Sequence, residues 1–242
     1  MFKESHLRSA IKAISWRFWA TLTTVVLVYV FTGTIKIALA IGGVEVVLKM
    51  VIYFVHERTW DKIRYGRKEI IPFVLWYTGL PGSGKTTLAN FVCEKLSKNG
   101  YRVERLDGDT VRGIFPATGF SKEERNTHIQ RVGHLASILE KNGIIVIASF
   151  ISPYQEARDF VRGLCRNLIE IYVATPLAEC EKRDPKGLYQ KARRGEISHF
   201  TGIDDPYEVP QDAELTVDAS NESTEASTDR VLKYLQKRNL LS

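Results

Sequence analysis

A glycine-rich stretch, GLPGSGKT at residues 79–86, carries the residue types that bind phosphate groups. Glycines let the backbone come close to oxygen atoms, and the amides at the start of a following helix point toward a bound anion. In this pattern Lys85 bridges the β- and γ-phosphates of a nucleotide, and Thr86 holds Mg²⁺. The stretch predicts a site for ATP and Mg²⁺ formed by Gly79, Gly82, Ser83, Gly84, Lys85, Thr86 and Thr87.

A second stretch, LDGDTVR at residues 106–112, places two carboxylates close together. Asp109 is suited to accept a proton from an acceptor hydroxyl as a catalytic base, or to hold Mg²⁺ through water. Asp107 is suited to the second of these roles. The alternative for Asp109 is to cap the helix that begins with TVRGIF, and capping does not exclude catalysis.

The segments around these residues alternate between strand and helix patterns. Residues 70–79 form an apolar, β-branched run typical of a buried strand, and residues 86–100 have the spacing of an amphipathic helix. Further strands are predicted at 102–109, 144–150 and 168–175, with helices between them. The alternation predicts an α/β fold of the P-loop kinase type, a three-layer structure with a parallel sheet. Ligands in such folds gather at the carboxyl ends of the strands.

The charge of the chain is unevenly distributed. The 242 residues carry a formal net charge of +6, of which +7 belongs to residues 1–68 and −1 to the remainder. A basic excess confined to one apolar segment suits an anionic membrane surface and argues against a nucleic-acid partner. The three cysteines, Cys93, Cys165 and Cys180, have no metal-binding spacing and are typical of free thiols in a reducing compartment.

The first 68 residues predict a membrane domain, followed by a kinase domain at 69–242. Residues 18–35 are uncharged, and as a helix they would be about 27 Å long, just enough to cross a bilayer core. Residues 37–55 form a second apolar run. Basic residues precede the first run and follow the second. This arrangement predicts a two-helix transmembrane hairpin in contact with lipid. Both termini and the kinase domain are then expected on the cytoplasmic side.

Two other interpretations of this segment are weaker. A basic start, an apolar run and ALA at residues 38–40 also occur in signal peptides. Here, however, the run is long, a second apolar run follows at once, and the domain behind it needs ATP. A soluble helical hairpin packed on the kinase domain is disfavoured by the length of the uncharged run.

Two charges interrupt the second apolar run. Glu45 and Lys49 are four residues apart, so they share one face of a helix and can pair. Charges within a membrane are expected to face protein. Two helices make a poor ion path, so we favour a packing contact between helices or subunits, which predicts a homo-oligomer.

Downstream motifs resemble the adenylyl-sulfate kinase family. They are the phosphate-binding stretch, LDGDTVR, GFSKEER, ISPY and RDPKGLYQKARRGEISHFTGIDDPYEVP, and the resemblance runs from about residue 76 to 217. It implies transfer of the γ-phosphate of ATP to the 3′-hydroxyl of adenylyl sulfate, in sulfate assimilation. The N-terminal segment resembles a small two-helix membrane domain of unknown role.

The resemblance also implies site residues. Phe120 and Phe200 correspond to two aromatic faces around the acceptor's adenine, with core packing as the alternative. Arg112 and Arg125 correspond to clamps for its sulfate and phosphate, with surface ion pairs as the alternative. Ser152 corresponds to a serine described in the family as a phosphorylated intermediate, although we favour direct transfer with Asp109 as base. The other residues implied are His128, Ile151 and Pro153 at the acceptor, and Arg183, Lys186, Gly187 and Leu188 in a mobile lid that closes over both nucleotides.

The sequence departs from the family pattern in two places. His128 stands where an asparagine that contacts the acceptor is usual, and the stretch between Arg112 and Phe120 is slightly short. Two alternatives therefore stay open. One is a kinase for another small nucleotide-like or hydroxylated acceptor, and the other is a nucleotide-binding membrane scaffold without turnover.

Overall fold

The structure is a computed structural model, and it describes residues 2–4, 6–30, 35–63, 65, 67–115 and 119–241. The chain forms two compact units, residues 1–70 and residues 71–242.

The N-terminal unit consists of two long helices and a short antiparallel ribbon. Helix α1 spans His6–Val30 and helix α2 spans Ile35–Lys62. Strand β1 (Phe2–Glu4) pairs with strand β2 (Arg67–Glu69). The two predicted helices are therefore present, and both continue beyond the apolar runs into the basic flanks.

The prediction that both helices cross a membrane is not confirmed. In the described part of the chain, no helix is both long and apolar enough for a membrane crossing. Both helices include the charged flanks of the apolar runs. The basic residues inside the helices include Arg8, Lys12, Arg17, Arg58 and Lys62. The side chain of Glu45 lies outside the described residues, so its pairing with Lys49 stays a prediction.

Arg8 ties the start of α1 to the end of α2. Its buried guanidinium donates hydrogen bonds to the carbonyl oxygens of Trp60, Ile63 and Tyr65 at 2.5–2.7 Å. It also lies 5.1 Å from the centroid of the Trp60 ring. The last carbonyls of a helix lack intrahelical donors, so a cation at this position stabilises the helix end.

The C-terminal unit is built on a five-stranded parallel sheet in the order β4-β5-β3-β6-β7. The strands are β3 (Val74–Thr78), β4 (Val103–Asp107), β5 (Ile145–Ser149), β6 (Leu168–Val173) and β7 (Leu215–Val217). Asp107 lies beside Ser149, and Ser149 lies beside Tyr77. The carboxyl ends of the three neighbouring strands therefore meet at one edge of the sheet.

Helices cover both faces of this sheet. They are α3 (Lys85–Lys98), α4 (Gly108–Ile114), α5 (Lys122–Lys141), α6 (Gln155–Leu164), α7 (Leu177–Arg183), α8 (Leu188–Arg193) and α9 (Thr224–Lys237). Every residue of β3 and of β5 is buried, which requires cover on both sides because successive side chains alternate between faces. Helices α5 and α6 pack together, as do α3 and α9. The predicted parallel α/β architecture is confirmed.

Local sequence signals explain where the site-bearing helices begin. Gly84 adopts φ 100° immediately before α3, a conformation that favours glycine. Ser121 and Glu124 form a capping box at the start of α5, in which each side chain accepts a hydrogen bond from the other residue's backbone N–H. These two caps set the helix starts that face the site.

Candidate active site

A cavity of about 870 Å³ opens at the carboxyl ends of the strands. It brings together most of the residues predicted from the sequence. Those that line it are Gly82, Gly84, Lys85, Thr86, Thr87, Asp107, Arg112, Phe120, Arg125, His128, Ile151, Ser152, Pro153, Lys186, Leu188 and Phe200. Residues separated by more than 100 positions in the chain thus meet around one space.

The other predicted residues lie close by without lining the cavity. Ser83 is buried, and its carbonyl oxygen accepts a hydrogen bond from the Thr175 hydroxyl at 2.8 Å. Arg183 donates to the carbonyl oxygen of Ala219 at 2.8 Å. Gly187 precedes α8 with φ 66°. Asp109 belongs to the first turn of α4, and its side chain lies outside the described residues, so its role as base or metal ligand stays a prediction.

The phosphate loop, residues 79–86, depends on glycine for steric reasons. Gly79 has φ 150°, and a Cβ at this position would lie 2.7 Å from the carbonyl oxygen of Val173. No side chain fits there without moving β6. The loop leads directly into α3, and Gly84, Lys85 and Thr86 line the cavity, so the start of this helix lies at the cavity as an anion site requires.

Lys85 is the buried cation of the phosphate loop. Its Nζ donates hydrogen bonds to the carbonyl oxygen of Leu80 at 2.6 Å and to Ser83 Oγ at 3.3 Å. Burial lowers the pKa of Lys85 to about 8. A polyanionic ligand would relieve this desolvation by supplying an opposite charge, so Lys85 is matched to a phosphate chain.

The residues at the end of β5 and the start of α3 offer oxygen ligands for Mg²⁺. Thr86 Oγ1 lies 3.4 Å from Ser149 Oγ, and both residues line the cavity. In the described part of the structure no group of three or more His, Cys, Asp or Glu side chains converges on a metal position. Hydroxyl donors of this kind fit Mg²⁺ that is held mainly by phosphate oxygens and water.

Asp107 caps the start of helix α4, a role that the sequence pattern had suggested for Asp109. Its carboxylate accepts hydrogen bonds from the Thr110 backbone N–H at 3.0 Å and from the Thr110 hydroxyl at 3.1 Å. Arg105 donates to it at 2.6 Å. Burial opposes ionisation, but the bonds from Thr110 and Arg105 outweigh it and lower the pKa of Asp107. The ionised carboxylate is thus held at the cavity wall, suited to water-mediated contact with a metal.

Phe120 is flanked by two cations in the cavity wall. The guanidinium carbon of Arg112 lies 4.8 Å from its ring centroid, and that of Arg125 lies 5.7 Å away. Arg125 is fixed further by hydrogen bonds to the Phe120 carbonyl oxygen at 2.7 Å and to the Thr201 hydroxyl at 2.8 Å. It also donates to the carbonyl oxygen of His199. The pair of arginines thus surrounds an exposed aromatic ring.

Phe200 differs from Phe120 in its surroundings. Phe120 is 56% exposed, whereas Phe200 is 8% exposed and packs edge-on against Tyr189, with ring centroids 5.0 Å apart. The core-packing alternative therefore describes part of the role of Phe200, although it still lines the cavity. Tyr189 in turn donates a hydrogen bond to the carbonyl oxygen of Pro81 at 2.9 Å, which links α8 to the phosphate loop.

His128 is a buried polar group in the cavity wall. It is 4% exposed, and within the described residues neither ring nitrogen has a hydrogen-bond partner. Burial, and then the charges of Arg112 and Arg131, lower the pKa of His128 to about 4. The ring is therefore neutral near pH 7, with one donor and one acceptor free to meet a ligand.

The loop after β5, residues 151–153, is named the acceptor loop here. Ser152 has φ 39° and is 1% exposed. Its hydroxyl accepts a hydrogen bond from Trp76 Nε1 at 3.1 Å and donates one to Thr78 Oγ1 at 2.9 Å. Both hydrogen bonds of the hydroxyl are made to other side chains of the protein. This favours direct transfer of the phosphate to the acceptor over transfer through a phosphorylated serine. The catalytic role considered for Ser152 stays untested.

Several cavity residues were not predicted from the sequence. They are Pro81, Arg105, Gly108, Ile129, Ser149, Phe150, Asp184, Pro185, Tyr189, Ile197, Ser198, His199 and Thr201. Ser149 is the last residue of the apolar strand β5, so the end of that strand was a usable signal. Tyr189, Ile197, Ser198, His199 and Thr201 lie within the motif RDPKGLYQKARRGEISHFTGIDDPYEVP, so that motif was a usable signal for them.

Two families match different parts of the chain. Residues 71–218 match the family described as Adenylylsulphate kinase, and residues 10–61 match one described as Predicted membrane protein (DUF2061). The adenylyl-sulfate kinase of Rippkaea orientalis is 48% identical over 169 residues, covering 69% of this chain and 93% of that protein. The one of Marinobacter nauticus is 46% identical over 181 residues, covering 74% and 91% respectively.

Solved structures agree with this assignment. The Mycobacterium tuberculosis APS kinase in complex with AMPPNP and APS has a TM-score of 0.67 and 38% identity, covering 69% of this chain and 99% of that one. The hexameric APS kinase from Thiobacillus denitrificans has a TM-score of 0.56 and 29% identity, covering 72% of this chain and 30% of that one. The matched region contains the phosphate loop, the acceptor loop and the cavity between them. The chain is therefore an enzyme of the adenylyl-sulfate kinase family.

Proposed function

We propose that the C-terminal unit transfers the γ-phosphate of ATP to the 3′-hydroxyl of adenylyl sulfate, giving 3′-phosphoadenylyl sulfate and ADP. The observation that carries this proposal is the shared cavity. One part of its wall is the phosphate loop, and another part is the cluster of Phe120, Arg112 and Arg125. A relative of known structure at 38% identity holds an ATP analogue and APS together.

The donor side is formed by the phosphate loop. Lys85 and the N-terminal amides of α3 hold the phosphate chain, and Thr86 contributes an oxygen to Mg²⁺. Mg²⁺, when bound, neutralises charge on the phosphates during transfer. Asp109 accepts the proton of the attacking hydroxyl in this proposal, since α4 carries it at the end of β4 beside Asp107.

The acceptor side is formed by aromatic and basic groups. Phe120 stacks on the adenine from its exposed face, and Phe200 supports the opposite side from within the core. Arg112 and Arg125 face the sulfate and phosphate, since planar guanidinium groups match such oxyanions. His128, neutral and unpaired in the described structure, supplies one donor and one acceptor to the sugar or base.

The segment from Arg183 to Leu188 acts as the lid. Lys186 and Leu188 already line the cavity, while Gly187 supplies the left-handed backbone conformation before α8. Closure excludes water and brings basic groups toward the transferring phosphate. The link from Tyr189 to Pro81 gives this segment a fixed point on the phosphate loop.

We also propose that the N-terminal unit attaches the enzyme to a membrane, with the kinase unit on the cytoplasmic side. Both helices expose large apolar side chains, and surfaces of this kind mark membrane or protein contacts. Examples are Ile14, Phe18, Val28, Val47, Met50 and Phe54. The match to a predicted membrane-protein family and the basic excess of residues 1–68 point the same way. A homo-oligomer is proposed in addition, since a relative is hexameric.

A panel of acceptors tests the enzymatic proposal. Purified protein with Mg-ATP is expected to phosphorylate adenylyl sulfate with a higher kcat/KM than any other nucleotide or small hydroxyl compound in the panel. A better acceptor in the panel would replace adenylyl sulfate. ATP binding without turnover on any acceptor would favour the scaffold without catalysis.

A second acceptor class has one specific observation in its favour. His128 occupies the cavity wall with an imidazole in place of the family's usual amide, and a ring is larger and places its donor differently. Returning asparagine with His128→Asn is expected to raise the affinity for adenylyl sulfate. A tenfold loss of affinity would instead favour an acceptor suited to the histidine.

A further inference from the structure

We propose that Arg158 is a positioning residue for acceptor binding, acting through the backbone of the acceptor loop. This inference rests on the proposed function, because it takes the acceptor to bind beside residues 151–153. Arg158 itself lies behind the cavity on α6 and is only 2% exposed. Its influence on the acceptor is therefore indirect.

The guanidinium of Arg158 holds the acceptor loop and a neighbouring segment at the same time. Nη1 donates a hydrogen bond to the Ser152 carbonyl oxygen at 2.7 Å, and Nη2 donates to the Glu208 carbonyl oxygen at 2.7 Å. Nη2 also donates to Gln155 Oε1 at 2.5 Å. The planar fork thus joins the stretch from Ser152 to Gln155 to the segment at Glu208.

The segment at Glu208 holds the acceptor loop in return. The Glu208 backbone N–H donates to the carbonyl oxygen of Pro153 at 2.8 Å, and its carboxylate accepts from the Gln155 backbone N–H at 2.6 Å. Thr78 donates from its hydroxyl to the carbonyl oxygen of Ile151 at 2.8 Å. All three carbonyl oxygens of the acceptor loop are therefore bonded from within the protein.

The acceptor loop needs this support because its backbone is strained. Ser152 has φ 39°, in the left-handed region that residues with a Cβ rarely adopt. Such a conformation persists only where the surrounding structure holds it in place. Arg158 bonds the carbonyl of the strained residue itself at 2.7 Å, whereas the Thr78 hydroxyl lies 3.4 Å from the same oxygen. The shorter, charge-assisted bond from Arg158 is therefore the contact best able to set the orientation of the loop.

Glu170 orients Arg158 from the other side. Its carboxylate lies 2.9 Å from Arg158 Nε and 3.0 Å from Arg162 Nη2, and it is 3% exposed. Arg162 also pairs with Glu214 at 2.5 Å. Two arginines thus share one buried carboxylate, and in the described structure only Arg158 of this pair bonds the acceptor loop. Arg162 is therefore a natural matched control.

The test replaces each arginine by lysine in the full-length enzyme. Arg158→Lys keeps the charge beside Glu170 but loses the fork that reaches Ser152 and Glu208. Its KM for adenylyl sulfate is expected to rise about tenfold, the effect of one lost charge-assisted hydrogen bond, with KM for ATP unchanged. Arg162→Lys makes the same chemical change on the same carboxylate, and it should leave both KM values near wild type.

Each outcome bears on one proposal. Wild-type enzyme inactive on adenylyl sulfate would remove the proposed function, whereas an unchanged acceptor KM in Arg158→Lys would overturn only the role of Arg158. An equal rise of the acceptor KM in Arg162→Lys would show that the pairing with Glu170, and not the contact with the acceptor loop, controls acceptor binding. A rise in both KM values together would indicate general loosening of the fold.

A second pair of variants serves if Arg158→Lys does not fold. Thr78→Val removes the hydroxyl that bonds Ile151 while keeping the side-chain shape, and Thr78→Ser keeps the hydroxyl. The valine variant is expected to raise the acceptor KM while the serine variant does not. Equal values in the two variants would contradict control of acceptor binding by the carbonyls of the loop.

Discussion

The guanidinium of Arg112 lies over the ring of Phe120, with the guanidinium carbon 4.8 Å from the ring centroid. Arg125 approaches the same ring to 5.7 Å. The three side chains come from α4, from the loop before α5 and from α5, and all three line the cavity. An exposed aromatic face with two flanking cations is a preformed surface for a flat, anionic ligand.

Phe120→Ala is expected to weaken acceptor binding without destabilising the fold. Stacking of a base on an aromatic ring contributes about 1–3 kcal/mol, so KM for adenylyl sulfate should rise roughly tenfold or more. Because Phe120 is 56% exposed, its loss should change the free energy of unfolding by less than about 0.5 kcal/mol. Steady-state kinetics and thermal melting measure the two effects.

Phe200→Ala is the matched comparison for Phe120→Ala. Phe200 is buried against Tyr189, so its removal should lower the free energy of unfolding by about 3–5 kcal/mol as well as weaken binding. If the two variants lost the same stability, the distinction between a surface stacking ring and a core ring would be wrong.

His128 should make stability depend on pH. Burial lowers the pKa of His128 from its ordinary value of 6.5 to about 4, so between these values the unfolded chain binds a proton that the folded chain does not. The contribution is present in full above about pH 6.5 and is lost as pH falls toward about 4. Chemical denaturation at pH 7 and pH 5 should show a smaller difference for His128→Asn than for wild type.

The control for this measurement is Gln130→Asn. Gln130 lies on the same helix α5 and carries no titratable group, so its replacement should leave the pH dependence unchanged. An identical pH dependence in wild type and His128→Asn would show that His128 is protonated as easily in the folded enzyme as in the unfolded chain.

Lys85 should link ATP affinity to pH on the basic side. Burial lowers the pKa of Lys85 to about 8, so the charge that holds the phosphates is progressively lost in the free enzyme above this pH. The Kd of Mg-ATP is expected to be about tenfold higher at pH 9 than at pH 7. Calorimetric titration of ATP at both pH values measures the change.

Lys85→Met should bind ATP weakly at both pH values and lack this pH dependence. Lys98→Met is the control, because Lys98 ends the same helix α3 in an exposed pair with Glu94. A full pH dependence retained in Lys85→Met would assign the titration to another group.

Removal of the N-terminal unit should separate catalysis from membrane attachment. Residues 71–242 form a compact unit with its own buried core and span most of the length of the related kinases. The truncated enzyme is expected to keep kcat and both KM values while losing co-sedimentation with anionic vesicles. Vesicle binding equal to that of the full chain would refute attachment through residues 1–70.

The sequence predicted the fold of the C-terminal unit because its signals are local. An apolar β-branched run followed by a glycine loop, such as residues 74–86, specifies strand, turn and helix without distant information. By contrast, the short strand β7 and helix α8 have weak patterns, and their partners are remote in the chain.

The N-terminal unit shows where a local pattern is insufficient. Two apolar runs correctly predicted two helices, and both helices extend into the charged flanks. No helix in the described part of the chain is long and apolar enough to cross a membrane. Uncharged length alone does not say where a helix begins or ends, because caps and side-chain contacts such as that of Arg8 with Trp60 set those limits.

The sequence by itself determined a nucleotide-binding kinase, because one contiguous loop carries the residue types that bind phosphate groups. The tertiary structure decided what lines the cavity beside this loop. It separated an exposed Phe120 from a buried Phe200, left His128 buried without a partner in the described structure, and placed Arg158 behind Ser152. Burial and hydrogen bonding depend on contacts between segments far apart in the chain, and only folding brings those segments together.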